Sequence, residues 1–451
     1  MDENAFNYIF LGEGSPAHAF EHAFERMRKE FLYWYPYDCR FSARDLVRNH
    51  LTFQLFHHVA IFPAEFHPRC IVVFGMATKD GKKMSSSKGN IVLLSDAIEK
   101  YGADAVRLFL LSAAEPWQDF DWNEEGAFAA RKHVERFLNT ASEIAEWTKD
   151  AKLLSAAGGG AEQGEQEGEL RFEDLSGVER WLLSRVQQHI RATTDALEHF
   201  QCRRALQHAF FEFESDLRWF RRRTRWEQTQ GAERERLRSV LRFVLDVWVR
   251  LLAPFIPHAC EEIWSRMGKN PDGKQFVSLA AFPKASTTLE DRKALLEEQF
   301  LSLVVEDVNE ILKVTGISPQ KIVLFVAPAW KREVFRSVLK MLADGKGVKE
   351  TLPALMREEP LRPHRKELPT LVKGIVERVQ FLRAKMALGA EAVEELAEIE
   401  ELSVLLAARE FLEREFKCRC EIYDADAVDE SVDPKKRRKN AIPLRPAIFV
   451  L

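Results

Sequence analysis

The long helical periodicity between Leu175 and about Arg266 constrains the fold most strongly. Apolar residues recur there every three or four positions, as in "WLLSRVQQHIRATTDALEHF", and this pattern predicts amphipathic helices that bury one face each. Proline lacks a backbone N–H but is tolerated in the first turn of a helix. We therefore expect Pro254 and Pro257 to end one helix and to open the next. The stretch indicates an all-α bundle.

The sequences on either side of this bundle mix strands with helices. Before it, the apolar run Arg69 to Met76 predicts a buried strand, and Ser95 to Ala113 predicts helix with Ser95 as N-cap and a break at Gly102. After it, a helix at Asp291 to Leu312 precedes a predicted strand at Lys321 to Pro328. A second strand is expected at Lys417 to Ala425.

The predicted fold class is accordingly a multidomain chain that combines α/β and all-α parts. A chain of 451 residues is too long for one ordinary domain. We predict an α/β domain over residues 1–122, a helical domain over 123–282 and a small α/β domain over 283–451. Residues 153–170 are rich in Gly and Glu and predict a flexible loop within the helical domain.

Composition indicates the cellular compartment and argues against a membrane or a metal as partner. No run of 18 apolar residues and no basic, apolar leader are present, so we expect no membrane association. Six cysteines in this length indicate a reducing cytoplasm rather than a disulfide framework. The Cys418–Cys420 pair is expected to be an ordinary strand pattern. The "HAFEH" motif from His18 to His22 is explained by an amphipathic helix, and we predict no metal site.

The stretch "DGKKMSSSKGN", Asp80 to Asn90, carries the clearest chemical signal. Lysine ammonium groups, serine hydroxyls and exposed backbone N–H groups suit phosphate, and glycine permits a tight turn. A helix follows, and its positive N-terminal end favours an anion. The alternative is a solvated basic turn between a strand and a helix. The GxxxxGK[ST] spacing of a Walker loop is absent.

The motif "KMSSS", Lys83 to Ser87, resembles the KMSKS signature of class I aminoacyl-tRNA synthetases. The stretch Tyr33 to Pro63 resembles the leucyl-tRNA synthetases of archaeal and eukaryotic type. "DLRWFRRR" and "LLAPFIPHACEEIW" resemble the helical anticodon-binding domain of that subclass, and the last residues, "PLRPAIFVL", resemble the end of the archaeal leucyl enzymes. The resemblance implies the second half of a Rossmann-type catalytic domain, an anticodon-binding-type bundle and a C-terminal tRNA-binding domain.

That family joins leucine to tRNA(Leu) through leucyl-adenylate, with ATP and Mg²⁺, in the cytoplasm. By position, the resemblance implies that Lys83, Ser86 and Lys88 act in catalysis, Lys88 making up for the lysine that many members have at the place of Ser86. It implies ATP contacts by Asp45, His50, Gly75, Met84, Ser85 and Ser87. Without the resemblance, the residues favour Asp45 as a helix N-cap and His50 as an exposed side chain.

Two basic stretches are the expected tRNA contacts. Arginines beside tryptophan can pair with phosphate and stack on unpaired bases. The candidate residues are Arg218, Arg221, Arg222, Arg223, Arg225, Lys435, Lys436, Arg437 and Arg438. The alternative for the arginines is a solvated helix face with partners such as Glu227 and Glu233. The alternative for the second stretch is a solvated tail.

The HIGH signature of class I synthetases and an editing domain are not found in the 451 residues. We therefore expect a C-terminal half that needs a separately encoded N-terminal half carrying HIGH, or a truncated product. Two positions depart from the family pattern, with Ala43 where glycine is usual and Phe74 before Gly75. They leave open the alternative that the chain is a module that binds tRNA but catalyses no reaction. A part of an isoleucyl, valyl or methionyl enzyme is the other alternative.

Overall fold

The computed structural model describes residues 2–15, 20–84, 89–151, 171–268, 273–345, 348–385, 395, 397–429 and 431–451. The predicted flexible loop 153–170 lies outside these residues, as does His18 of the "HAFEH" motif. No helix within the described part is long and apolar enough to span a bilayer. All six cysteines lie in the described part and all are free thiols.

The chain folds into two compact units. The first combines Met1–Ala151, His189–Glu214 and Leu241–Ala285, and the second combines Lys152–Gln188, Ser215–Val240 and Ser286–Leu451. The helical stretch thus contributes to both units. The three predicted domain ranges do not map one to one onto these units and stay a prediction.

In the described part of the first unit, five short strands build two small sheets: β1 Arg40–Ala43, β2 Ile71–Phe74, β3 Ala77–Lys79, β4 Lys82–Lys83 and β5 Phe120–Trp122. β1 and β2 form a parallel pair, with Ala43 opposite Phe74. β3 pairs with β4 in an antiparallel hairpin and with β5 in parallel. The predicted strand at Arg69 to Met76 is confirmed as β2.

Helices make up most of the rest of the first 150 residues. Their bounds are Glu3–Phe6, Glu21–Trp34, Thr52–Ile61, Leu94–Tyr101, Ala103–Ala113 and Glu124–Trp147. The predicted break at Gly102 is confirmed, because this residue separates two helices with a φ of +91°. The predicted N-cap is wrong: the helix begins at Leu94 after Leu93, and the Ser95 hydroxyl donates to Asp96.

The amphipathic stretch is helical as predicted. Its helices are Gly177–Glu198, Cys202–Leu206, Phe213–Thr224, Gly231–Leu252 and Pro257–Arg266, with a π-helical turn at Gln207–Glu212. Pro257 occupies the first turn of the last of these helices, which confirms its predicted role. In the first unit, Trp248 stacks on Phe213 at 5.4 Å and meets Phe137 edge-on at 4.8 Å.

The second unit contains the sheet of the predicted small α/β domain. Strands β6 Lys321–Val326, β7 Arg419–Asp424 and β8 Ala447–Val450 lie in the order β7-β6-β8. β6 is parallel to β7 and antiparallel to β8. The helices of this region are Arg292–Thr315, Ala329–Ala343, Val348–Leu355, Leu368–Lys385, Glu401–Ala407 and Arg409–Phe416. They bury a core with β6 at its centre.

Candidate nucleotide and tRNA sites

The carboxyl ends of β1 and β2 lie side by side because these strands are parallel and in register. Chain segments that leave this edge of an open parallel sheet commonly form ligand sites. β1 leads into the short 3₁₀ turn Arg44–Leu46, which contains Asp45. β2 leads into Gly75. Two of the predicted nucleotide contacts therefore stand at one edge of the sheet.

The base of the signature loop is a hairpin fixed by an aspartate. In it Thr78 of β3 stands opposite Lys83 of β4. Oδ1 of Asp121, on β5, accepts hydrogen bonds from Thr78 Oγ1 at 2.6 Å and from the backbone N–H of Gly81 at 2.9 Å. These bonds, that from Thr78 above all, hold the pKa of Asp121 below its usual value. The hairpin sets the position from which Lys83 extends.

Lys83 and Asp45 form an ion pair across the two small sheets. Lys83 Nζ lies 3.6 Å from Asp45 Oδ2, and both side chains are more than half exposed. Asn90 Nδ2 donates to the backbone carbonyl of Lys83 at 3.1 Å, which ties the two ends of the loop together. The structure therefore brings together a lysine predicted to act in catalysis and a carboxylate predicted to contact ATP.

Asp45 is not a helix cap. The 3₁₀ turn that contains it has Ala43 at the N-cap position, and the turn that follows has Leu46 there. The capping alternative is therefore wrong. His50 is exposed, and its Nε2 lies 2.7 Å from Nη2 of Arg40.

Gly75 lies where no side chain fits. A Cβ added there would stand 2.0 Å from the backbone oxygen of Gln118, although the backbone of Gly75 itself is unstrained. Its N–H donates to the carbonyl of Pro116 at 2.8 Å. The requirement for glycine here thus has a packing cause within the chain, beside any role in nucleotide contact.

Asp119 is a residue of this edge that the sequence reasoning missed. Its carboxylate accepts from the backbone N–H of Met76 at 2.7 Å and from Arg44 Nη2 at 2.8 Å. The bond from Met76, with the Arg44 bond, lowers the pKa of Asp119. The sequence did contain a signal for this role. Asp119 and Asp121 alternate with Phe120, a pattern that predicts a short strand with both carboxylates on one face.

Met84 is half-buried and is the last residue described before the serines. Ser85, Ser86, Ser87 and Lys88 lie outside the described residues. Their predicted contacts with ATP stay predictions.

Three of the predicted tRNA-binding arginines make ion pairs within the second unit. Arg221 bonds Glu227 at 2.5 Å, Arg222 pairs with Glu415, and Arg223 pairs with Glu298. Glu227 is the partner that the solvated-face alternative names.

The other two arginines of this stretch, Arg218 and Arg225, have exposed side chains. Their predicted contacts with tRNA stay predictions.

The second basic stretch is folded rather than an open tail. The buried carboxylate of Asp433 accepts from the backbone N–H groups of Arg437 and Arg438, both at 2.8 Å. A 3₁₀ turn, Arg437–Asn440, follows and leads to β8. The side chains of Lys435, Lys436 and Arg437 are exposed. The solvated-tail alternative is therefore wrong about the backbone, while the basic side chains do face solvent.

Two family models match separate parts of the chain. "tRNA synthetases class I (I, L, M and V)" matches residues 8–123, and "Anticodon-binding domain of tRNA ligase" matches residues 179–324. Leucine–tRNA ligases are similar over almost the whole chain. That of Methanothrix thermoacetophila is 39% identical over 99% of this chain, and that of Pyrococcus abyssi is 36% identical over 99%. Over nearly its whole length, the chain is thus a homologue of leucine–tRNA ligases.

The chain spans 42% of the length of each of these two relatives. The leucine–tRNA ligase of Methanothermobacter thermautotrophicus, 37% identical, is matched over 100% of this chain and 43% of its own length. A solved LeuRS of Agrobacterium radiobacter K84, in a ternary complex with tRNA and LeuAMS, covers 56% of this chain and 29% of its own. Its 22% identity and TM-score of 0.44 are too low to bear on the fold.

Proposed function

We propose that this chain supplies part of the catalytic site and of the tRNA-binding surface of a leucine–tRNA ligase. The reaction attaches leucine to tRNA(Leu) at the expense of ATP, through leucyl-adenylate. The observation that carries the proposal is the pairing of Lys83 with Asp45 at 3.6 Å beside the carboxyl ends of β1 and β2. The likeness to leucine–tRNA ligases over 99% of the chain supports it.

In adenylate formation the leucine carboxylate attacks the α-phosphorus of ATP, and the bond from that phosphorus to the pyrophosphate oxygen breaks. The ammonium group of Lys83 stabilises the negative charge that develops on the departing pyrophosphate. Asp45 accepts hydrogen bonds from the ribose hydroxyls. Because Lys83 and Asp45 are exposed partners of each other, ATP binding requires their ion pair to open. Ser85–Lys88 are proposed to add hydroxyl donors and a second cation.

Mg²⁺ is proposed to arrive with ATP rather than to occupy a site built by this chain. The carboxylates described around the loop already have protein partners, since Asp45 pairs with Lys83, Asp119 with Arg44, and Asp121 with Thr78 and Gly81. Mg²⁺ commonly keeps several waters and binds substrate phosphates with few protein ligands. The residues described here therefore do not form a magnesium cage.

An N-terminal half that carries HIGH is proposed as the partner, and an exposed apolar surface supports this. The helix Thr52–Ile61 buries no residue of its own, while Phe53, Phe56 and Val59 on it are each more than 60% exposed. Apolar surface of this kind marks interaction sites. Among the described residues, the parallel sheet of β1 and β2 has two strands, so each strand has an edge to which a further strand could pair.

tRNA is proposed to contact Arg218, Arg225 and the basic turn from Lys435 to Arg438. Their exposed charges suit phosphate, whereas Arg221, Arg222 and Arg223 are proposed chiefly to hold the second unit together through their ion pairs. The domain ranges 1–122, 123–282 and 283–451 are proposed as the catalytic, helical and C-terminal tRNA-binding parts. The cytoplasm is the proposed compartment.

A titration of the purified chain with tRNA tests the binding part of this proposal. tRNA(Leu) is compared with a tRNA that lacks a long variable arm, at physiological salt. Preference for tRNA(Leu) is expected. Equal binding to both, or none, would remove specific recognition from this chain.

Leucine-dependent exchange of pyrophosphate into ATP tests the catalytic part, with the chain mixed with a HIGH-bearing half. Exchange that appears only in the mixture is expected. Exchange with isoleucine, valine or methionine instead of leucine would favour a sister enzyme, as the breadth of the matched family model permits.

A tRNA-binding module without chemistry is the second candidate, and the packing of Phe74 favours it. Phe74 stacks on Phe41 at 5.6 Å at the edge of the sheet where a nucleotide would lie. Specific tRNA binding without any exchange in the mixture would select this candidate.

A further inference from the structure

Two histidines and a glutamate converge in the first unit. His189 lies on the helix Gly177–Glu198, and His208 and Glu212 lie on the π-helical turn Gln207–Glu212. One potential ligand atom from each of the three lies within 4.8 Å of the others. Among the residues that the structure describes, no other group of three or more His, Cys, Asp or Glu side chains has its ligand atoms this close together.

The donor set suits zinc. Imidazole nitrogens and one carboxylate oxygen are typical ligands of Zn²⁺, which takes four ligands and leaves the fourth position to water in open sites. His208 Nδ1 lies 3.0 Å from Glu212 Oε2. Two ligands at about 2.0–2.1 Å from a tetrahedral ion stand about 3.3 Å apart, so this pair needs little movement.

The electrostatic surroundings favour a cation at this point. Glu212 Oε2 lies beside His208 Nδ1, and Gln207 Nε2 donates to Glu212 Oε1 at 3.4 Å. A bound cation would compensate the charge of this carboxylate.

Packing fixes His189 on one side of the cluster, while His208 and Glu212 are open to solvent. His189 is 2% exposed and its ring packs on Phe213 at 5.3 Å. Phe213 stacks on Trp248, whose indole N–H donates to the carbonyl of Ala209 within the π-helical turn at 3.0 Å. π-helical turns occur often at functional sites. The side chains of His208 and Glu212 are 22% and 37% exposed, which gives an ion a path from solvent.

We propose that His189, His208 and Glu212 bind a divalent transition-metal ion of the zinc class, with water as the fourth ligand. The ion would join the helix Gly177–Glu198 to the turn Gln207–Glu212. Because it binds the folded state, occupancy stabilises this part of the first unit by mass action. None of the three residues belongs to the proposed ATP loop, and the proposal does not depend on the proposed aminoacylation.

Calorimetric titration of the chelator-treated full chain with Zn²⁺ tests the site. One zinc ion per chain is expected, together with a higher melting temperature in zinc than in chelator. His208→Ala and Glu212→Gln should each weaken binding more than about tenfold, since even loss of an outer partner of a metal ligand typically costs 10–100-fold. Both positions are partly exposed, so these variants are expected to fold, which circular dichroism checks.

His199→Ala is the matched control, because His199 is an exposed histidine that bonds the Asp195 carbonyl and lies outside the cluster. It should bind zinc like the parent chain. If zinc binds the parent chain no more tightly than His208→Ala, or if His199→Ala loses as much affinity, the three residues are a hydrogen-bonded cluster and the proposal is overturned.

Discussion

The ammonium group of Lys83 lies 3.6 Å from the carboxylate of Asp45, although one residue stands on the β3–β4 hairpin and the other follows β1. Two features of the fold bring these side chains together. The parallel register of β1 and β2 places the turn that holds Asp45, and Asp121 fixes the hairpin that holds Lys83. Both partners are exposed, so the pair adds little stability and is free to open for a ligand.

Lys83→Ala should slow leucine-dependent pyrophosphate exchange of the reconstituted enzyme by roughly 10²-fold, the usual effect of losing one group that stabilises transition-state charge. Binding of tRNA by the same variant should not change. Lys82→Ala is the control, since Lys82 is the exposed neighbour on β4. An unchanged exchange rate in Lys83→Ala would remove this lysine from the mechanism.

Gly75→Ala should destabilise the first unit. The new Cβ would stand 2.0 Å from the backbone oxygen of Gln118, and overpacking of this kind costs about 1–3 kcal/mol. Gly177→Ala is the control, because nothing lies within 4 Å of a Cβ there. Denaturant unfolding measures both. Equal stability of Gly75→Ala and the parent chain would show that the backbone near Gln118 shifts freely.

Asp104→Ala should lower the free energy of unfolding by about 1–3 kcal/mol, because it leaves buried donors without a partner. Asp104 is buried and accepts from the backbone N–H of Ala259 at 2.6 Å and from His258 Nδ1 at 2.9 Å, at the start of the helix Pro257–Arg266. Asp96→Ala, at an exposed position, should change stability by no more than about 0.5 kcal/mol. Similar losses in the two variants would contradict the argument.

Glu401 should make the stability of the second unit depend on pH. Burial raises the pKa of this carboxyl group from 4.5 to about 7. Between these values the unfolded chain is ionised while the folded chain keeps its proton, so the unfolded state binds fewer protons. The free energy of unfolding should therefore fall as pH rises from about 4.5 to about 7, by at most about 1.4 kcal/mol per pH unit, and level off above.

Glu401→Gln should flatten this slope, since the amide oxygen can still accept the 3.0 Å bond from the Leu444 N–H. Glu400→Gln, at an exposed neighbour, is the control. Denaturant unfolding at a series of pH values measures the three chains. A slope that survives in Glu401→Gln would assign it to another group.

Replacing Lys435, Lys436 and Arg437 by alanine should weaken tRNA binding and reduce its salt dependence by roughly 0.7–0.9 in the log–log slope per lost phosphate contact. A deletion of Ser431–Leu451 would be a poorer test, because it removes β8 and the buried Phe449 from the core. Alanine at Lys293, Lys366 and Lys373, also exposed, is the matched control. Equal weakening by both triple variants would show that only total charge matters.

Local sequence determined much of this protein. The 3.6-residue periodicity predicted the helices from residue 175 to 266, Pro257 marked a helix start, and the apolar runs became β2, β6 and β7. The "KMSSS" motif and its surroundings indicated the family. Each of these features depends on residues close together in the sequence, so it can be predicted without knowledge of the tertiary structure.

Tertiary structure alone decided which distant residues meet. Asp119 and Asp121 accept hydrogen bonds from the backbone N–H groups of Met76 and Gly81. Almost every residue has such a donor, so the sequence does not show which ones these carboxylates bind. The charge of Arg221 looks like that of Arg218 in the sequence, yet the fold pairs only the former with Glu227 among the described contacts. Ion pairs and close approaches of this kind arise from non-local packing, whereas periodicity, turns and motifs are local.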